Sequence, residues 1–497
     1  MIWVECSASK RNVMKKTFLL NLALLVGINL LIKPFYIFGI DLQVQNRLDD
    51  GEYGLYFSLF NFAFIFQLLA DLGLLQFNSR FISQQENLRS AYLPSLLSLK
   101  AILGLSYFAL AFGSAFLMGY TEEAWQILPY ILLNQFLLSG ILFLRSNLSA
   151  MAFYRLDSLL SALDKFLLII LLYTLLALEP FGPFNILQFV QAQSLGYALT
   201  FLVCAFFLAK KIEGPLRWKI SPKRIYILLK QALPYAFVVL LMTLYSRMDA
   251  VMIERLLPIE KGKLEADQYA FAYRLLDAFN MIAYLFAGLL LPMFSRLLRP
   301  LELKDLGQLM ATAFRWMSFL SLSLSIALFF YADELAPALY ESSNSQTPFL
   351  LQILLFSANA AGIIYIFGTF LTAAARLKEM NIFFALGVLL NFGLNLFWIP
   401  AYGALGAAVA TLITQFFIAV TEIFLTFRYF PNLRNYFSLA LFLRFILGSL
   451  LSFGIFYSSQ FLPFIFWFKI LLAGAASLLS AFLIGQLSFR ELLELRK

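Results

Sequence analysis

The chain has 497 residues, 62% of them hydrophobic and 13% charged, with 37 Lys and Arg against 28 Asp and Glu, a net charge of +9 and no histidine. So apolar a composition excludes a globule wetted over its whole surface. The missing histidine removes the commonest metal ligand and the usual proton relay. The two cysteines, Cys6 and Cys204, support neither a disulfide framework nor a metal site, so no metal and no cofactor are expected.

A bilayer core of ~30 Å takes about 20 apolar residues per helix. Along the chain the qualifying stretches are 17–40, 54–77, 91–113, 125–145, 166–178 (with an alternative start near 158), 186–209, 233–257, 267–296, 309–331, 349–375, 380–400, 404–427, 436–457 and 463–486. The first is longer than a signal-peptide core and lacks a small-residue cleavage site, so it reads as retained. Loops on one side of the fourteen spans carry Lys15, Lys16, Arg80, Arg89, Arg145, Arg155, Lys165, the cluster Lys210 to Lys230, Arg296, Lys304, Arg376, Lys378, Arg428, Arg434 and Arg490. The opposite loops are acidic, with Asp41, Asp49, Asp50, Glu52, Glu122, Glu123, Glu179, Glu260, Glu265, Asp333, Glu334 and Glu341. Basic loops are retained in the cytoplasm, which puts both termini there. The net positive charge is then topological, and nucleic acid is not an expected partner.

No segment outside the spans is long enough to fold as a soluble domain; the longest are the basic loop 210–232 and the acidic loop 257–267. There is no Walker loop and no Gly-x-Ser-x-Gly elbow, so an enzyme or a self-contained ATP-driven pump is not expected. Glu52-Tyr53-Gly54-Leu55-Tyr56 opens the second span, and Asp267-Gln268-Tyr269-Ala270-Phe271 opens the eighth in a similar setting. The offset of six helices implies two parallel repeats with a cavity between them. The fold class read from this is an all-α polytopic membrane protein: two parallel six-helix bundles around a central cavity, plus two C-terminal helices. The expected domains are 1–210, an amphipathic cytoplasmic linker at 211–232, 233–430, and 431–497. In the linker, Ser221 caps a helix with Pro222 at its first position and a basic amphipathic pattern through Lys230.

An ionisable group at membrane depth costs ~2.5–3.5 kcal/mol and faces a partner or a cavity. Lys100, Arg315 and Arg444 lie near inner helix ends and Lys469 near an outer one, where they can snorkel; Glu422, near the inner end of its span, reads as structural. Five deeper groups fall about 10–15 Å inside the outer helix ends: Lys33 on the first span, Arg247 and Asp249 on the seventh, Arg274 and Asp277 on the eighth. One reading pairs Arg247 with Asp277 and Asp249 with Arg274. The other uses Lys33, Arg247 and Arg274 as phosphate donors, since three cations against two anions leave a net positive layer. Lys33 shares a helical stripe with Asn21, Leu25 and Asn29, and Pro34 loosens the helix next to it. Asp71 and Arg80 form a candidate inner gate. The aromatic residues, 17% of the chain, are mainly packing and lipid-facing surface, and Gly406-Ala407-Ala408 with Ala410 reads as a close-packing helix face.

Several stretches together resemble the multidrug/oligosaccharidyl-lipid/polysaccharide flippase superfamily. They are Glu52-Tyr53-Gly54-Leu55-Tyr56 with Ala70-Asp71-Leu72-Gly73-Leu74; Leu233-Pro234 with Tyr245-Ser246-Arg247-Met248-Asp249; Tyr269-Ala270-Phe271-Ala272-Tyr273-Arg274 with Leu291-Pro292-Met293-Phe294-Ser295-Arg296; and Asn391-Phe392-Gly393-Leu394-Asn395 with Ile399-Pro400-Ala401-Tyr402-Gly403. The likeness is closest to the polysaccharide-transporter, O-antigen-flippase-like branch. It implies a bacterial inner-membrane protein that carries a polyprenyl-diphosphate-linked oligosaccharide from the cytoplasmic to the outer leaflet by alternating access. Such a protein would work in contact with membrane lipid, with a polysaccharide polymerase or glycosyltransferases as partners. Fourteen helices also fit the lipid II branch, and cation-coupled multidrug efflux is the remaining alternative. By resemblance the first and eighth helices line the cavity, and Arg274 matches a cationic floor position. Lys33 departs from the serine-and-arginine pattern of the lipid II branch's first helix, which bears on the exact substrate.

Overall fold

A computed structural model describes residues 31–32, 34–75, 89–151, 153–180, 182–211, 222–298 and 302–488. In hydrocarbon a backbone N–H or C=O has only the chain itself to bond to, and long apolar runs satisfy that demand as helices. The helices, in chain order, are α1 (Leu42–Arg47), α2 (Glu52–Gln67), α3 (Arg89–Met118), α4 (Glu122–Ala150), α5 (Tyr154–Leu178), α6 (Ile186–Lys211) and α7 (Pro222–Leu256). They continue with α8 (Ile259–Leu298), α9 (Leu303–Leu339), α10 (Thr347–Ala373), α11 (Leu377–Tyr402), α12 (Ala404–Tyr429), α13 (Leu439–Ser459) and α14 (Phe466–Leu483). Among the described residues there is no strand, only an isolated bridge between Pro180 and Gly182. The chain is an all-α polytopic membrane protein: 13 described helices, α2 to α14, are long and apolar enough to cross a bilayer. Each coincides with one of the predicted spans from the second onward. The predicted first span lies mostly outside the described residues. In its last part, after Pro34, the backbone widens into a π-helical turn over Tyr36–Asp41, the loosening that a missing N–H invites.

Three boundaries differ from the sequence reading. The fifth helix starts at Tyr154, before 166 and close to the alternative start near 158. Its first half is charged, but Asp157 accepts from Arg145 of α4 at 2.9 Å and Lys165 lies 3.5 Å from Asp164 on the same helix, so these three charges are paired. The acidic loop 257–267 is helical from Ile259 onward, leaving a two-residue turn. Residues 222–230, read as an interfacial segment, run without a break into the seventh span as one helix, Pro222–Leu256.

The chain divides into two compact units, residues 1–240 and 241–497. In the first, α4 packs against α2 and α6, α5 against α6, and α3 against the 3-10 turn Leu68–Ala70 that ends α2. In the second, α10 packs against α8, α9 and α12, α12 against α11, and the hairpin of α13 and α14 against α9. The hairpin seam is pinned by a hydrogen bond of 2.6 Å between the buried Tyr331 and Ser459 hydroxyls. Gly406, Ala407, Ala408 and Ala410 are all buried on α12, the close-packing face expected from their size.

Candidate functional site

In the second unit, α7 and α8 bring three charged side chains together. The Arg247 guanidinium donates two bonds to Asp277, Nη1 to Oδ2 at 3.2 Å and Nη2 to Oδ1 at 3.0 Å, and stands 5.2 Å over the Tyr273 ring. Arg274, one turn before Asp277 on α8, reaches the same carboxylate at 3.9 Å. All three side chains stay partly exposed, at 16–19%. Two guanidinium groups thus share one carboxylate, and that triad carries a net charge of +1.

Asp249 is two residues from Arg247, so it leaves α7 on another face and enters the interior, where it is 1% exposed. Its carboxylate accepts from Tyr269 Oη at 2.8 Å, Asn395 Nδ2 at 2.6 Å and the Thr411 hydroxyl. Asn395 Nδ2 also donates to Asn391 Oδ1 at 3.1 Å. The expected Asp249–Arg274 pair is therefore not formed: Arg274 finds Asp277 on its own helix, while neutral donors from α8, α11 and α12 take Asp249. Among the described residues no cation stands within ion-pair distance of Asp249. Nearby oxygens on the same helices, Asn395 Oδ1, Thr414 Oγ1 and Gln415 Oε1, are buried without a hydrogen-bond partner. A buried carboxylate held only by neutral donors is a dry site where a proton or a monovalent cation can bind.

The first unit holds two clusters that sequence reasoning missed or misread. Lys165, assigned to a loop, lies on α5 about 16 Å from its start. Its Nζ donates to Tyr197 Oη at 3.2 Å and lies 4.8 Å from the Tyr36 ring centroid. Asp41, assigned to an outer loop, is buried in the π-helical turn and accepts from Gln45 Nε2 and Tyr53 Oη, each at 3.2 Å. The alternative helix start near 158 was the signal that could have found Lys165. Deeper in, Gln193 joins Tyr56 at 2.9 Å and Asn134 at 3.4 Å. Lys100 does not snorkel: it is 6% exposed and donates to Ser139 Oγ at 2.6 Å and Asp71 Oδ1 at 3.2 Å. Asp71 also accepts from the Leu75 N–H at 3.3 Å. The turn that presents Asp71 needs positive φ at Leu72 (41°) and Gly73 (76°). Of the other expected site residues, Asn29, Lys33 and Arg80 lie outside the described residues.

The model of a family described as polysaccharide biosynthesis protein matches residues 19–298 of the chain. No curated protein matches it in sequence. Among solved structures it is similar to the lipid II flippase MurJ in an inward-closed conformation, at 16% identity over 97% of this chain and 99% of that one, with a TM-score of 0.69. It is also similar to an inward-facing multidrug resistance MATE family transporter of the MOP superfamily, at 15% identity over 80% of this chain and 95% of that one, with a TM-score of 0.63. A third likeness is to the Vibrio cholerae MATE transporter VcmN in its bent form, at 17% identity, 86% and 99% coverage and a TM-score of 0.54. At these identities the likeness is one of fold.

Proposed function

The chain belongs to the polysaccharide biosynthesis protein family and has the MOP superfamily fold, and from that premise we propose that it is a flippase for a polyprenyl-diphosphate-linked oligosaccharide. In this reading it carries the glycan from the cytoplasmic to the outer leaflet of a bacterial inner membrane by alternating access, and supplies a surface-polysaccharide polymerase. The observation that carries the substrate class is the Arg247–Asp277–Arg274 triad. Guanidinium groups in a partly exposed, low-dielectric setting bind phosphate by charge-assisted hydrogen bonds, and a diphosphate suits a net positive triad better than an organic cation does. Arg247, braced by Asp277 and Tyr273, orients the group; Arg274, at the longer contact to Asp277, is the second donor. Lys33 and Asn29 are proposed as further headgroup ligands. Asp249 serves as the coupling site, where a proton or monovalent cation entering or leaving changes the charge that α7, α8, α11 and α12 must share. Asp71 with Arg80 is the proposed inner gate.

The test exploits the pairing. Arg274→Ala removes a donor while Asp277 keeps its bidentate bond to Arg247. A lost charge-assisted bond is worth ~1.5–3 kcal/mol, so headgroup affinity should fall roughly 10- to 100-fold while the protein still reaches the membrane. Outer-leaflet glycan would then be scarce in cells carrying the variant. Normal glycan export by Arg274→Ala at normal protein levels would remove the triad from the headgroup site. Lipid II is the second reading, favoured by the similarity to its flippase over 97% of the chain. Depletion that halts cell-wall synthesis but leaves surface polysaccharide intact would select it.

A further inference from the structure

One buried acid has no part in the binding and coupling scheme above. Glu422 on α12 is 1% exposed. Neither carboxyl oxygen makes a hydrogen bond of good geometry, the Gly368 backbone being the one polar group at hand, and no Lys or Arg among the described residues stands within ion-pair distance. An ionised carboxylate left so would cost several kcal/mol, and unsatisfied buried polar groups are rare enough in native folds to require a reason.

The surroundings supply one. Glu422 lies on the helix face that also carries Thr411, Thr414, Gln415 and Thr426, which stand eleven, eight, seven and four residues from it. All are buried, and Thr414 Oγ1, Gln415 Oε1 and Thr426 Oγ1 are without hydrogen-bond partners. Ile418 interrupts the file between Gln415 and Glu422. The file runs about 16 Å from Thr411, which holds Asp249, to Glu422, and about 10 Å more to the end of α12 at Tyr429. On α10 the acid faces Gly368, where an added Cβ would stand 2.5 Å from Glu422 Oε1; the glycine makes the space and brings no side-chain oxygen to ligate a metal cation.

Groups on the neighbouring elements are otherwise engaged. From α7 the facing titratable group is the buried Tyr245, and α10 adds Tyr365, one turn before Gly368. Glu379 at the start of α11 pairs with Arg376 at 3.6 Å and accepts from Tyr429 Oη at 3.1 Å. Arg274 and Asp277 of α8 are within the triad. Arg434, in the 3-10 turn Pro431–Tyr436 packed against α12, makes no ion pair with Glu422.

We propose that Glu422 is a proton-binding site of the second unit, loaded from the C-terminal end of α12 past Thr426 and separate from the Asp249 site. The step is a protonation: a proton from water joins the carboxylate to give the neutral acid, and release reverses it. The assignment goes beyond the flippase reading and holds for any substrate.

Infrared difference spectroscopy on the purified full-length protein, in lipid nanodiscs and without substrate, tests it. A pH jump should produce a protonated-carboxyl C=O band that shifts in D2O, is lost in Glu422→Gln and persists in Asp249→Asn. Identical wild-type and Glu422→Gln spectra would overturn the assignment, as would a band that follows sodium concentration and not pH. Should Glu422→Gln accumulate poorly, Gly368→Ala keeps the acid but crowds it, and the same band should move in frequency; an unmoved band counts against the site. Because no glycan is present, the outcome is independent of whether the flippase reading holds.

Discussion

At the scale of single residues, charge at membrane depth is governed by which partner a rigid helix can present. Lys100 illustrates it: sequence position puts it two turns from an inner helix end, within snorkelling reach, yet it turns inward to Asp71 and Ser139. Lys100→Met should lower the unfolding free energy in detergent by about 3 kcal/mol, the lower end of the range for breaking a buried pair, because Asp71 remains 20% exposed. Adding Asp71→Asn should recover much of the loss, as it removes the stranded charge. Thermal melts of the two variants decide it, and a Lys100→Met protein as stable as the wild type would make the pair irrelevant to stability. Arg274 makes the same point from the other side. Its nearest acid in the sequence pattern of the seventh helix was Asp249, but the one-turn neighbour Asp277 is the acid it meets.

Among the elements, the long apolar spans were legible because their length and composition leave few alternatives to a helix, whereas ends that carry charge were not. The fifth helix begins twelve residues before 166, at Tyr154, since Arg145, Asp157, Asp164 and Lys165 neutralise one another across neighbouring helices and turns. Small residues were read correctly as contact surface. At Gly406 an added Cβ would meet the backbone carbonyl of Trp398 on α11, and backbone cannot move aside as a flexible side chain does. Gly406→Val should therefore cost ~1–3 kcal/mol through overpacking, seen as lower yield and an earlier melt. Gly113 on α3 has nothing within 4 Å of the same position, and Gly113→Ala should be neutral or stabilise by up to about 1 kcal/mol. Equal effects at the two sites would mean that the α11–α12 approach is not a tight contact.

For the whole molecule, the orientation remains a prediction of the loop charges. In a background with Cys6→Ser and Cys204→Ala, a cysteine at the exposed Ser345 should react with an impermeant thiol reagent in intact cells. One at the exposed Lys304, at the start of α9, should react only after permeabilisation. Labelling at Lys304 in intact cells would invert the topology and, with it, the direction of transport.

Sequence alone determined the order of the spans from the second onward, the all-helical class and the family resemblance, because hydrocarbon thickness and backbone hydrogen bonding act locally along the chain. It also brought Arg247 and Asp277 to one layer, since depth follows from residue count on a straight helix. Which side chains then touch depends on helix rotation, and rotation is decided by packing against several neighbours at once. That is why the neutral nest of Tyr269, Asn395 and Thr411 around Asp249, the inward turn of Lys100, and the buried Glu422 opposite Gly368 with no cation beside it emerged only from the tertiary structure.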